Sequence, residues 1–177
     1  MRENSRRMAF CGVLVALAVT ALLLGSLLPF ATFCAPILAV VALLPILPEF
    51  GPRYAWAAHG AAAMLALLLA PDRELALVYL FLGAYPLLRP HLQRIFSRPL
   101  RAVCKLALCN FALLVLYSLL IFVFQLEAVT AELTGASAAF LAALLALANA
   151  NFWVLDLALA RLTHLWTTQL RGKLFRT

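Results

Sequence analysis

Long apolar segments with at most one charged side chain each are the feature that most constrains this chain. The first covers residues 8–28, and five more follow it. A membrane-spanning helix needs about 20 apolar residues. Lipid hydrocarbon cannot hydrogen-bond the backbone N–H and C=O groups, whereas a helix pairs these groups within its own segment. The pattern predicts an all-α integral membrane protein with six transmembrane helices. The predicted spans are residues 8–28, 31–47, 54–70, 75–88, 106–126 and 136–160.

The composition excludes a soluble domain. Hydrophobic residues make up 66% of the chain and charged residues 12%, whereas soluble domains have about 45–50% apolar and 25% charged residues. Six spans joined by short loops leave almost none of the 177 residues for a soluble domain. We therefore predict a single membrane domain over residues 1–177.

The basic residues predict the orientation of the spans. The net charge is +7, and with the N-terminus in the cytoplasm 13 of the 14 Lys and Arg residues fall on the cytoplasmic side. Cytoplasmic loops of membrane proteins carry this excess of positive charge. Both termini are therefore predicted to be cytoplasmic, and the charge is not interpreted as a nucleic-acid site. Residues 89–105 combine five basic residues with apolar ones, which predicts a cytoplasmic amphipathic helix that contacts anionic lipid or a cytoplasmic partner.

Three polar residues inside the predicted spans lie at a similar depth: His59, Asn110 and Asp156. Polar groups are costly in the membrane and mark functional or structural contacts. A hydrogen-bond cluster that ties three helices together is the favoured interpretation. A proton or cation relay built on His59 and Asp156 remains the alternative.

Polar and aromatic residues also gather at the predicted outer ends of the spans. If these ends converge, they form an aromatic-walled cup for a small polar molecule. Ordinary solvated acidic loops are the alternative for any one of these residues. The candidate cup residues are Phe33, Asp72, Arg73, Glu74, Tyr79, Gln125, Glu127 and Asn149.

Small residues form a strip along one face of the first span, at Gly12, Ala16 and Thr20. Because lipid supplies no hydrophobic drive for association, membrane helices pack through such strips. The strip either docks another membrane protein or packs against this chain's own helices. Similar strips occur at residues 63–70 and 139–150.

The residues provide no grouping for catalysis or metal binding. The three histidines, His59, His91 and His164, are far apart, and no Cys-x-x-Cys motif, phosphate loop or nucleophile elbow is present. We therefore expect no enzyme activity, no cofactor and no metal site.

Several short turns carry a resemblance to a known family. The Gly25-Ser26-Leu27-Leu28-Pro29-Phe30, Glu49-Phe50-Gly51 and Pro71-Asp72-Arg73-Glu74 sequences, together with the chain length and span count, resemble the substrate-binding S components of energy-coupling factor (ECF) transporters. The resemblance implies a bacterial plasma-membrane protein that captures a vitamin-like solute from outside. It also implies a transmembrane coupling subunit that docks on the small-residue strip, and ATPase subunits that drive transport. The N-terminal His motif of nickel and cobalt members is absent, which argues against those metals.

Two other functions remain open on the sequence. A scaffold protein similar to the rod-shape-determining membrane protein D would use the small-residue strips and basic loop for assembly. A small proton-coupled transporter would use His59 and Asp156.

Overall fold

The computed structural model describes residues 2–28, 31, 34–94, 97–123 and 137–170, and every regular element in these ranges is a helix. The all-helical prediction is confirmed for this part of the chain. The helices are α1 (Arg2–Ser26), α2 (Cys34–Leu43), α3 (Ile46–Phe50), α4 (Pro52–Leu69), α5 (Arg73–Gln93), α6 (Arg98–Phe122) and α7 (Ala138–Leu165), and a π-helical turn (Trp166–Leu170) continues from α7.

Within the described ranges, four helical segments are long and apolar enough to cross a membrane. They are Ser5–Ser26, Arg73–Gln93, Pro99–Phe122 and Ala138–Thr168. These correspond to the first, fourth, fifth and sixth predicted spans, so the chain has the make-up of a helical membrane protein. The second and third predicted spans do not meet the same measure, and the count of six crossings remains a prediction.

The second predicted span requires a correction, because residues 31–47 do not form one helix. Helix α2 ends at Leu43, the Leu44 N–H donates to the Val41 carbonyl in a turn (3.3 Å), and α3 begins after Pro45. Proline has no N–H to continue the helical hydrogen bonds, which explains the break. Helix α3 then ends at Gly51, whose φ of 85° favours glycine.

The predicted amphipathic helix over residues 89–105 also requires a correction. Helix α5 continues through Pro86 and Pro90 to Gln93, and α6 begins at Arg98. The Ser97 side chain caps α6 by accepting a hydrogen bond from the Leu100 N–H (3.3 Å). A serine N-cap followed by proline in the first turn is a helix start signal, so the basic residues are divided between two helix ends.

The chain divides into two compact units. One comprises Met1–Pro90 with Leu162–Thr177, and the other comprises His91–Arg161. In the first unit, α1 packs against α2 and α4. Small residues such as Ala18, Ala39 and Ala62 are fully buried in its core. Close approach of helix backbones over small side chains is therefore part of the packing of this unit.

Gly25 marks the tightest of these approaches. A Cβ atom at this position would overlap the Ala35 Cβ of α2 and would lie 3.5 Å from the Leu75 side chain of α5. By contrast, a Cβ atom at Gly12 in the same helix would meet nothing within 4 Å. In α1, packing therefore requires glycine at position 25 but not at position 12.

We expect Gly25→Ala to lower the free energy of unfolding by about 1–3 kcal/mol, because the added methyl group forces α1 and α2 apart. Gly12→Ala is the matched control and should cause no loss. Unfolding of the purified protein in detergent micelles measures both. Equal stability of the two variants would contradict the close approach at Gly25.

Candidate functional site

A buried ion pair joins α6 and α7 in the second unit. The Lys105 Nζ donates to the Asp156 Oδ2 at 2.5 Å, and the two side chains are 9% and 8% exposed. Charged side chains in apolar helices are costly unless they are paired, and such pairs mark functional or structural contacts by default.

A second polar contact joins the same helices. The Nδ2 of Asn110 donates to the Oδ1 of Asn149 at 3.2 Å, and the reverse bond has the same length. Each amide also donates to its own helix, Asn110 to the Leu106 carbonyl (2.9 Å) and Asn149 to the Leu145 carbonyl (2.8 Å). The two contacts together set the register of α6 against α7.

The two contacts form an antiparallel polar seam. Lys105 precedes Asn110 by five residues in α6, and Asp156 follows Asn149 by seven in α7. In an antiparallel pair of helices, residues near the start of one helix lie opposite residues near the end of the other helix. A neutral seam of this kind can hold two helices together, and its carboxylate can also take up a proton or a cation when the ammonium group moves away.

His59 occupies a separate buried cluster in the first unit. Its ring centroid lies 5.4 Å from that of Tyr79 in α5 and 6.1 Å from that of Trp56 in α4. A Cβ atom at Gly83 would lie 2.7 Å from the His59 Nδ1, so the glycine makes room for the imidazole. Tyr79 is fully buried beside this ring.

The three residues of the predicted polar cluster thus belong to three different contacts. Asp156 bonds Lys105, Asn110 bonds Asn149, and His59 lies against Tyr79. The first two contacts tie α6 to α7, whereas a single cluster of His59, Asn110 and Asp156 that ties three helices together stays a prediction. A relay through His59 and Asp156 stays a prediction.

The residues of the predicted outer cup are engaged in several different ways. Asp72 caps α5, because its Oδ1 accepts from the N–H groups of Glu74 (3.0 Å) and Leu75 (3.2 Å). Tyr79 is buried against His59, and Asn149 bonds Asn110. Arg73 is exposed and Glu74 half-buried at the start of α5. Three candidates, Phe33, Gln125 and Glu127, lie outside the described residues.

The small-residue strip of α1 lies on an exposed face. Gly12, Ala16 and Thr20 are all exposed, and the Thr20 hydroxyl donates to the Ala16 carbonyl (2.8 Å), so it needs no other partner. The buried face of α1 is a different one, with Ala18 and Leu22 fully buried. The strip is therefore not used to pack α1 in the described part of the chain.

The strip of α4 shows the opposite arrangement. Ala63, Ala66 and Ala70 are 1%, 0% and 4% exposed, so this strip packs inside the first unit. The strip of α7, at Ala139, Ala143, Ala146 and Ala150, is exposed. The same sequence pattern is thus buried by packing in one helix and exposed in two others.

Lys105 is the functional candidate that the sequence interpretation missed. It was assigned to a cytoplasmic loop, whereas it lies in the third turn of α6 and is buried. The signal was present in the spacing, because opposite charges at 105 and 156 flank the asparagines at 110 and 149 in antiparallel order. Among the described residues, no group of three His, Cys, Asp or Glu side chains could hold a metal ion.

We expect Asp156→Leu to lower the free energy of unfolding by about 3–5 kcal/mol, because it leaves the Lys105 ammonium buried without its partner. The double variant Lys105→Met/Asp156→Leu should be more stable than either single variant, since it removes both charges. Unfolding in micelles, analysed as a double-mutant cycle, gives the coupling. Additive effects of the two single variants would show that the pair contributes no coupling.

Comparison of the chain with protein-family models, with curated proteins and with solved structures finds no match.

Proposed function

We propose that this chain is a membrane-embedded binding subunit for the uptake of a vitamin-like small solute. In this proposal it spans the plasma membrane of a bacterium six times, with both termini in the cytoplasm. It binds the solute from outside the cell and catalyses no reaction, and it needs no cofactor or metal. A transmembrane coupling subunit and ATPase subunits drive the transport step, and nucleic acid has no part in it.

The observation that carries the proposal is the exposed strip of α1. Gly12, Ala16 and Thr20 present a nearly flat surface on a helix that is long and apolar enough to cross a membrane. Membrane helices associate where small residues let their backbones approach closely. Since α4 buries its own strip and α1 does not, the α1 strip is available for a second membrane protein.

The residues around the strip also suit a helix partner within the membrane. Val13, Leu17 and Leu24 are exposed beside it, so the surface is apolar apart from the Thr20 hydroxyl, which is bonded within α1. A partner helix can therefore cover this face without leaving a buried polar group unsatisfied. Lipid covers the same face when the partner is absent.

We expect Ala16→Leu to reduce copurification of the coupling and ATPase subunits at least about tenfold, which corresponds to about 1.4 kcal/mol of binding free energy. The leucine side chain separates the two helix backbones. Ala61→Leu is the matched control, because Ala61 is an exposed alanine of α4 outside the strip. Pull-down from native membranes in mild detergent, with the bound proteins identified by mass spectrometry, measures the effect.

Two results would contradict this proposal. One is a wild-type chain that brings down no ATPase subunits. The other is an Ala16→Leu variant that retains them as well as Ala61→Leu does. Recovery of cell-shape or cell-wall proteins in their place would favour the scaffold function.

A small proton-coupled transporter is the second candidate, and the buried Lys105–Asp156 pair favours it. Ionisable residues inside membrane helices line proton and substrate pathways in pumps and transporters. In this candidate, Asp156 exchanges its ammonium partner for a proton during transport. No coupling subunit is then required.

Uptake into proteoliposomes tests the second candidate. The purified chain is reconstituted alone, a proton gradient is imposed, and radiolabelled vitamins, nucleobases and amino acids are offered in turn. We expect gradient-driven uptake by the wild type and its loss in the folded Lys105→Met/Asp156→Leu variant. Equal uptake by both proteins would assign the pair a purely structural role.

A further inference from the structure

Two polar atoms buried in the first unit have no hydrogen-bond partner among the described residues: the Nδ1 of His59 and the hydroxyl of Tyr79. Tyr79 is 0% exposed and His59 is 5% exposed. Buried polar groups are almost always hydrogen-bonded, to protein or to ordered water. Here the two exceptions belong to facing rings whose centroids are 5.4 Å apart.

The hydrogen-bonding capacities of the two atoms are complementary. A neutral imidazole carries a proton on one ring nitrogen and a lone pair on the other. With the proton on Nε2, Nδ1 is an acceptor. The Tyr79 hydroxyl can both donate and accept. Together they match a group that offers one donor and one lone pair.

The backbone of α5 lies close to both rings at Gly83. A Cβ atom at Gly83 would lie 2.7 Å from the His59 Nδ1 and 3.2 Å from the Tyr79 Cε2, so the glycine brings the α5 backbone against both rings. Pro86 follows Leu82 by four residues within α5 and has no N–H. The Leu82 carbonyl, one residue before Gly83, therefore lacks its usual intrahelical donor.

We propose that His59 and Tyr79 form a binding site for one small hydrogen-bonding group, held between Nδ1 as acceptor and the phenol hydroxyl. The group is a hydroxyl or an amide, supplied either by a single water molecule or by a bound solute. The Trp56 ring beside His59 adds an aromatic wall. The solute source rests on the proposed uptake function, whereas the water source does not.

The first test removes one oxygen atom. Tyr79→Phe keeps the ring contacts and deletes the hydroxyl, so loss of the bound group should lower the apparent melting temperature of the full chain in micelles by about 2–4 °C. Tyr54→Phe is the matched control, since Tyr54 is a half-buried tyrosine of α4 whose ring packs edge-on against Phe50. The control should change the melting temperature by less than about 1 °C.

The second test identifies the source of the group in the wild-type protein. With ¹⁵N-labelled histidine, the Nδ1 of His59 should show the chemical shift of a nitrogen that accepts a hydrogen bond. Magnetisation transfer from water to His59 would assign the group to water. A rise in melting temperature on adding a vitamin, nucleobase or amino acid, which disappears in Tyr79→Phe, would assign it to that solute.

The proposal is overturned if Tyr79→Phe is as stable as the wild type or more stable and Nδ1 accepts no hydrogen bond, because the two atoms are then truly unpartnered. If Tyr79→Phe does not fold, the chemical shift of Nδ1 in the wild type decides alone. These measurements need only the isolated chain. Their failure is therefore distinguishable from a failed copurification through the α1 strip.

Discussion

Lipid removes the force that packs helices in water, because a leucine side chain gains nothing by leaving hydrocarbon for another apolar helix. Helices in such a chain are held by close backbone approach and by polar pairs. The contact of Gly25 with Ala35 is an example of the first, and the pairs Lys105–Asp156 and Asn110–Asn149 are examples of the second. The specific structure depends on these few positions, although most of the chain is apolar.

The apolar segments predicted the helices well where no helix-breaking residue intervenes. The first, fifth and sixth predicted spans correspond to α1, α6 and α7, with boundaries that differ by several residues. Hydropathy did not predict the break at Pro45, because the residues on both sides are equally apolar. It also missed the start of α6, where the Ser97 cap outweighs the amphipathic pattern of residues 89–105. Local backbone chemistry decides these boundaries.

The candidate sites were predicted only in part, for a related reason. Polarity alone singled out Asn110, Asn149 and Asp156, but a partner follows only from how each helix is rotated about its axis. When both faces of a helix are apolar, periodicity cannot set that rotation. Tyr79 was therefore assigned to an outer cup and lies instead against His59. Lys105 was assigned to a loop because basic residues were used to predict orientation.

The small-residue strips of α4 and α1 differ, because one is buried in the folded chain and the other is exposed. In α4 the alanines at 63, 66 and 70 are buried in the folded chain, so their surface is not open to a partner. In α1, the face with Ala18, Leu22 and Gly25 is buried in the folded chain, and the face with Gly12, Ala16 and Thr20 is exposed. A helix with close-packing surfaces on two sides can be held by its own chain on one side while a partner helix approaches on the other. That geometry lets a partner bind and leave without disturbing the core at Gly25, which is what the proposed docking of a coupling subunit would require.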